Sequence, residues 1–220
     1  MKGKFITLEG GEGAGKSTVL QAVRDLLVQR TLDVAVTREP GGTPAGEAIR
    51  SVLLDPALRG MSAETELLLM FASRAQLVRE KILPALTAGR WVLADRFTDA
   101  SFAYQGGGRG QPIARIVDLE NWAAAGLKPD LTLLLDVPVV EGLKRANGRG
   151  AADRIEMENA EFFERVRAAY RERAAAQPQR FRVIDASRPL AQVLEQVQVV
   201  VVSFLDQVDS PGSEPARVRT

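Results

Sequence analysis

One stretch constrains this chain more than any other: Lys4 to Thr18, KFITLEGGEGAGKST. Phe5, Ile6, Thr7 and Leu8 form an apolar run that predicts a short buried strand. The octet Gly10-Gly11-Glu12-Gly13-Ala14-Gly15-Lys16-Ser17 then fits G-x-x-x-x-G-K-[ST], with Thr18 directly behind it. Beyond it Val19, Leu20, Val23, Leu26 and Leu27 recur at helical spacing. Strand, glycine turn and helix are the setting in which this pattern cradles a polyphosphate. The glycines let backbone N–H groups curl towards an oxyanion, and the helix start adds the positive end of its dipole. Lys16 supplies a point charge for the β and γ phosphates, and Ser17 a hydroxyl for Mg²⁺.

The rest of the chain repeats strand and helix. Short apolar runs at 33–37, 91–94, 131–135 and 181–184 predict four more strands. Helical spacing covers 45–54, 63–88 (with Pro84 as a bend and Gly89 as the cap), 99–104, 113–125 closed by Gly126, 139–146, 156–176 and 189–208. Loops are expected at 38–44, at the glycine run 106–110 and at 147–153. Alternation of this kind predicts an α/β fold: a five-stranded parallel sheet flanked by helices, with the phosphate-binding loop (P-loop) after its first strand. Ligands bind such sheets at the carboxyl ends of the strands. That rim carries the glycine loop, the loop after Thr37, Asp95-Arg96 and Asp136. Asp95, at the end of a buried strand, is the expected second contributor to Mg²⁺, and Arg96 beside it suits a bidentate phosphate clamp.

Composition removes whole classes of chemistry. The 220 residues include no cysteine and no histidine, so a thiol nucleophile, a disulfide frame and an imidazole base are all excluded. The formal charge of +1 gives no general pull towards nucleic acid or acidic membranes. A strand begins within four residues of the start, leaving no room for a signal peptide, and the apolar run 199–205 is too short to span a bilayer. The expectation is a soluble, cytoplasmic, single domain over 1–208 with a short arginine-containing lid at about 145–155 and a disordered tail at 209–220.

Four segments in order, GGEGAGKST, TREPGGTP, DRFTDASFAYQG and GRGAADRIE, resemble the bacterial thymidylate kinases. The resemblance runs from about Lys4 to the final helix. It implies transfer of the ATP γ-phosphoryl group to dTMP with Mg²⁺, for dTTP synthesis, by a homodimer. Gly10 to Thr18 would hold the ATP phosphates. Glu12 stands where the family places an acid near the acceptor sugar. Gly13 stands where the eukaryotic subtype has an arginine; the bacterial subtype moves catalytic arginines into the lid, where this chain offers Arg149 and Arg154, with Arg145 a further member. Lys16, Arg96, Arg149, Arg154, Asp95 and Glu12 are thus the implied catalytic set, with Ser17 and Asp95 at the metal.

For dTMP the resemblance implies Arg38, Glu39, Arg50 and Arg96 around the phosphate, Arg74 at the thymine edge, Ser101 and Gln105 near the base, and Tyr104 against the sugar. One position departs: the family usually has phenylalanine four residues before this arginine, and here Met70 stands there with Phe71 next. Met70 packing on the base, or Phe71 turning in, are both expected routes to a pocket. Two other readings stay open at this level. A kinase of broader monophosphate range follows from Met70. A nucleotide-dependent switch is the other, although no N-K-x-D guanine motif is present.

Overall fold

The computed structural model describes residues 3–147 and 152–209. Arg149 and the tail from 210 lie outside the described residues. Five strands, β1 (Phe5–Gly10), β2 (Val34–Arg38), β3 (Trp91–Asp95), β4 (Leu131–Asp136) and β5 (Phe181–Asp185), form one all-parallel sheet in the order β2-β3-β1-β4-β5. β1 is central and every residue of it is buried.

Pleat alternation in β1 explains how the core divides. Ile6 and Leu8 face α1 (Lys16–Gln29) and α9 (Leu190–Asp209), and join Val19, Val23, Leu133 and Val197. Phe5 faces the opposite layer, among Leu77, Ile82, Val92 and Phe97. That layer is built by α3 (Ala63–Leu77), α4 (Leu83–Thr87) and α8 (Ala160–Ala176). Glu9 follows the alternation into this second layer and is wholly buried. The remaining helices are α2 (Pro44–Leu54), α5 (Thr98–Ser101), α6 (Ile113–Ala123) and α7 (Val139–Ala146). No described helix is long and apolar enough to cross a membrane.

Four boundaries differ from expectation, each for a local reason. The helix expected over 63–88 widens into a π-type turn at Val78–Ile82. Pro84 lacks an N–H and its ring crowds the carbonyl four residues back, so the turn before it opens. Gly89, at φ +79°, caps that helix as expected, with Arg90 N donating to Ala85 O. The run 106–108, expected as loop, continues α5 as a π-type turn over Phe102–Gly108. The glycines there serve packing: a Cβ at Gly107 would stand 2.7 Å from the Cβ of Ala169, and one at Gly108 2.5 Å from the Phe162 ring. α8 begins at Ala160 rather than 156, where the Asn159 side chain accepts from Phe162 N. α6 stops at Ala123, because Ala125 and Gly126 both turn to positive φ.

Candidate active site

A cleft of about 300 Å³ opens over the carboxyl ends of β1, β2 and β3. Gly13, Gly15, Lys16 and Ser17 form one wall. The loop fits tightly against α7. Gly13 sits at φ +68°, and a Cβ there would lie 1.9 Å from Gly142 O, so this backbone admits no arginine at 13. α1 starts at Lys16 directly behind Gly15, which holds φ +87°; the first-turn N–H groups therefore face the cleft unspent. Lys16 Nζ donates to Gly10 O (3.2 Å) and Gly11 O (2.9 Å). Burial, and then the Arg96 charge, push its pKa down to about 8, so an arriving polyphosphate would restore its full charge.

Across from the loop stands Asp95. Its Oδ1 is buried without a hydrogen-bond partner in the described residues, and it lines the cleft that Ser17 also lines. An orphaned carboxylate oxygen and a hydroxyl lining one cleft are hard-oxygen donors of the kind that fits Mg²⁺. No cluster of three acidic, histidine or cysteine ligands exists among the described residues. That suits an ion that takes its remaining ligands from phosphates and water.

Arg96 lies at the junction of the two walls. Its backbone is left-handed at φ +70°, a conformation costing a non-glycine residue on the order of 1 kcal/mol. Nη1 donates to Gly10 O (3.0 Å) and the Tyr170 hydroxyl (3.1 Å), and Nη2 donates to Glu12 Oε1 (2.8 Å). Tyr104 lies with its ring 4.7 Å from the Arg96 guanidinium carbon and donates its hydroxyl to the same Glu12 oxygen (2.7 Å). Burial opposes the Arg96 charge, but Tyr104, Tyr170, Glu12 and Asp95 outweigh it and hold its pKa well above the usual value.

The remaining acceptor-side residues divide. Arg38, Glu39, Arg50, Met70, Tyr104 and Gln105 line the cleft. Arg38 donates to Glu47 (3.0 Å) and Arg50 to Pro40 O (2.9 Å). Arg74, Ser101 and Phe71 do not reach it. Arg74 is 0% exposed and donates to Glu39 (2.7 Å), Ser101 Oγ (3.0 Å) and Phe97 O (3.1 Å), with Phe71 under its guanidinium at 4.5 Å. Phe71 packs with Leu67, Phe102 and Ile116, so Met70 alone of the pair faces the cleft. Arg154, expected in the lid, is also turned away: its Nε donates to Leu53 O and its Nη2 to Glu66, both at 2.7 Å. Arg145 donates to Ala186 O and pairs with Glu141. Thr18 sits exposed in the first turn of α1, outside the cleft lining.

Sequence reasoning passed over three buried groups that set this geometry. Glu9 accepts from Phe97 N (2.8 Å) and from the Tyr170 hydroxyl (2.7 Å), and burial with the nearby Asp99 charge raises its pKa to about 8. Glu66 is 1% exposed and gathers Gln105, Arg109 and Arg154. Asp99 ties Arg173 of α8 (2.6 Å) to Arg180 (2.7 Å). The available signal was a carboxylate closing an all-apolar strand at Glu9, and one interrupting an apolar helix stripe at Glu66.

A family model described as thymidylate kinase matches residues 8–197. The chain is similar to thymidylate kinases of Nitrosomonas europaea (55% identical, covering 92% of this chain and 94% of the relative), Halorhodospira halophila (54%, 93% and 96%) and Ruthia magnifica (51%, 91% and 98%).

Proposed function

The chain belongs to the thymidylate kinase family, and from that premise we propose how its residues divide the transfer of the ATP γ-phosphoryl group to dTMP. The phosphate loop, Gly10 to Ser17, holds the ATP phosphates, with Lys16 at the β and γ groups. An oxygen of the dTMP phosphate attacks the γ phosphorus; the new O–P bond forms as the bond to the bridging oxygen breaks, and ADP leaves. The nucleophile is already an anion, so no protein base is required, and the absence of histidine costs nothing. Ser17 and Asp95 would hold Mg²⁺, which supplies charge neutralisation at the phosphates when bound.

Arg96, Arg38 and Arg50 receive the acceptor phosphate, Glu12 and Tyr104 border the sugar, and Met70 and Gln105 border the base. Arg74, Ser101 and Glu39 then act as the wall behind the base, not as direct readers, with Glu39 Oε1 left as a buried acceptor beside the cleft. Arg149 is assigned to the donor phosphates on the resemblance alone. The chain functions as one kinase domain over 1–208, in the cytoplasm, with no nucleic-acid or membrane partner. A second copy is assigned to the outer face of α3 and α6, where Leu68 is 58% and Trp122 76% exposed.

The observation that carries this reading is the single cleft in which the phosphate loop faces arginines from two other segments and an orphaned Asp95 oxygen. A coupled ADP-release assay with ATP, Mg²⁺ and each of dTMP, dUMP, dCMP and dGMP tests it. Turnover with dTMP well above the others is expected. Equal turnover of several monophosphates would shift the reading to a broader kinase built around Met70.

A further inference from the structure

Arg96 offers five N–H groups. Gly10 O and the Tyr170 hydroxyl take both hydrogens of Nη1, and Glu12 takes one of Nη2. The Nε–H and one Nη2 N–H are left with no partner among the described residues, on a guanidinium that lines the cleft. Two free N–H groups on one planar fork suit one phosphate oxygen pair. Which two remain free is decided by what occupies Nη1.

Tyr170 is the side chain that does so. Its hydroxyl has one hydrogen, and it donates that to Glu9 Oε2 (2.7 Å). The oxygen is therefore left to accept from Arg96. The other Glu9 oxygen accepts from Phe97 N (2.8 Å), the residue after Arg96. Glu9 thus grips the β3 end twice: directly at the backbone and through Tyr170 at the guanidinium. The Tyr170 ring is already buried against Phe163 and Val166 of its own helix, so its apolar packing does not depend on the hydroxyl. On the opposite edge, Glu12 shares its accepting oxygen with the Tyr104 hydroxyl, which weakens its claim on Nη2 when an anion arrives.

We propose that Tyr170, oriented by Glu9, is a positioning residue for the transfer: it occupies the Nη1 edge so that Arg96 turns its two free N–H groups to the acceptor phosphate. This rests on the reading above that Arg96 clamps the dTMP phosphate.

The test compares full-length wild type with Tyr170→Phe, Glu9→Gln, the double variant and Arg96→Lys. KM for dTMP is measured at saturating ATP, KM for ATP at saturating dTMP, and thermal midpoints alongside. Tyr170→Phe is expected to raise the dTMP KM roughly tenfold, the scale of one hydrogen bond to a charged group. The ATP KM should stay close to wild type, and the thermal midpoint should fall by about 2–8 °C, the cost of one buried hydrogen bond. Assayed at about pH 9, where Glu9 is ionised, Glu9→Gln keeps only one of the two contacts and should move the dTMP KM the same way. The double variant should be no worse than its worse parent, since both act along one path. An unchanged dTMP KM in Tyr170→Phe, with Arg96→Lys raised, would overturn the proposal alone. Equal rises in both KM values would make Tyr170 a packing residue and overturn it too. An unchanged dTMP KM in Arg96→Lys would bring down the clamp reading and this proposal with it.

Discussion

Two buried glutamates sit on the two sides of this cleft, and they treat their neighbouring arginines in opposite ways. Glu66, in α3 behind the cleft, bonds Arg154 directly (2.7 Å) and also Arg109 and Gln105. Burial opposes its charge, but these donors outweigh burial and hold its carboxyl below the usual range. Glu9, under the cleft, has no hydrogen bond to an arginine among the described residues; Tyr170 stands between it and Arg96. Burial and the Asp99 charge push it up to about 8. The outcome for the arginines follows. Arg154 has its side chain committed to Glu66 and Leu53 O, whereas Arg96 keeps two N–H groups open on the cleft. An arginine's use to a phosphate depends on the hydrogens its neighbours leave over, not on its charge alone.

The strongest way to break this contrast is to remove each arginine in turn. Arg96→Ala should lower kcat/KM for dTMP on the order of 10²–10³-fold, the usual loss for one donor to a developing phosphoryl charge. Arg154→Met should cost less than about tenfold in kcat/KM, a loss within a single hydrogen bond's range, because its donors are already spent. Steady-state kinetics on both variants checks this. Comparable losses would mean that Arg154 leaves Glu66 during turnover, and the contrast would hold for the ligand-free chain only.

Stability should instead turn on Glu66. Glu66→Gln leaves buried Arg154 and half-buried Arg109 facing a neutral amide, and urea unfolding should show a loss of about 3 kcal/mol. Arg154→Met leaves Glu66 still paired with Arg109, whose Nη2 lies 3.1 Å away without a hydrogen-bond partner among the described residues, so that variant should lose only about 1 kcal/mol. A larger loss for Arg154→Met than for Glu66→Gln would show that Arg109 does not stand in for it.

The two regions were not equally legible in the sequence. The phosphate loop, Asp95 and the strand ends could be read because their signals are local: an apolar run, a glycine spacing, a charge at a strand's end. Met70 could be placed in the cleft only once Phe71 was seen packed with Leu67 and Ile116, since adjacent residues on a helix differ by a rotation the spacing leaves open. Arg74, Ser101 and Arg154 bear the expected residue types, yet each is claimed by a partner from a distant segment: Glu39, Arg74 and Glu66. Pairings of that kind span 27 to 88 residues and leave no mark in local pattern. The glycines at 106–108 misled for a related reason: they read as loop, but they make room for α8.

Acidity separates the two glutamates further. The folded pKa of Glu9 is raised from 4.5 to about 8, so its contribution is fully present below 4.5 and is lost as pH rises towards 8. Glu66 is lowered, so its contribution is present above its ordinary value and is lost only as pH falls through the folded one. Glu9 also faces Arg96, Asp99 and Tyr170 in this window, and Asp99 is held ionised below it by its arginines. Glutamine imitates the neutral form. Between pH 5 and 8 the advantage of wild type over Glu9→Gln should therefore shrink by about 3 kcal/mol, while the advantage over Glu66→Gln should stay flat. Urea melts at three pH values measure both slopes; parallel slopes would erase the distinction.

The smallest expected effect lies on the helix that both regions share. α3 carries Glu66 towards Arg154, Met70 into the cleft one turn later, and Arg74 beneath it one turn after that. Met70 is almost wholly buried, between the cleft and the Glu39–Arg74 pair. A thioether packs on a ring with only slightly less energy than a second ring does, and the difference is about 0.5–1 kcal/mol. Met70→Phe should thus lower the dTMP KM by about threefold, and by a similar factor for dUMP, because ring stacking does not read the methyl group. The substituted ring is larger, and any overpacking would press first on Arg74, then along α3 towards Glu66. Kinetics with both nucleotides and a urea melt separate the outcomes. A tighter dTMP KM at unchanged stability would show that the cleft face of α3 can be altered without disturbing the strut behind it. A weaker KM with a stability loss above 1 kcal/mol would show that the two regions are one packed unit.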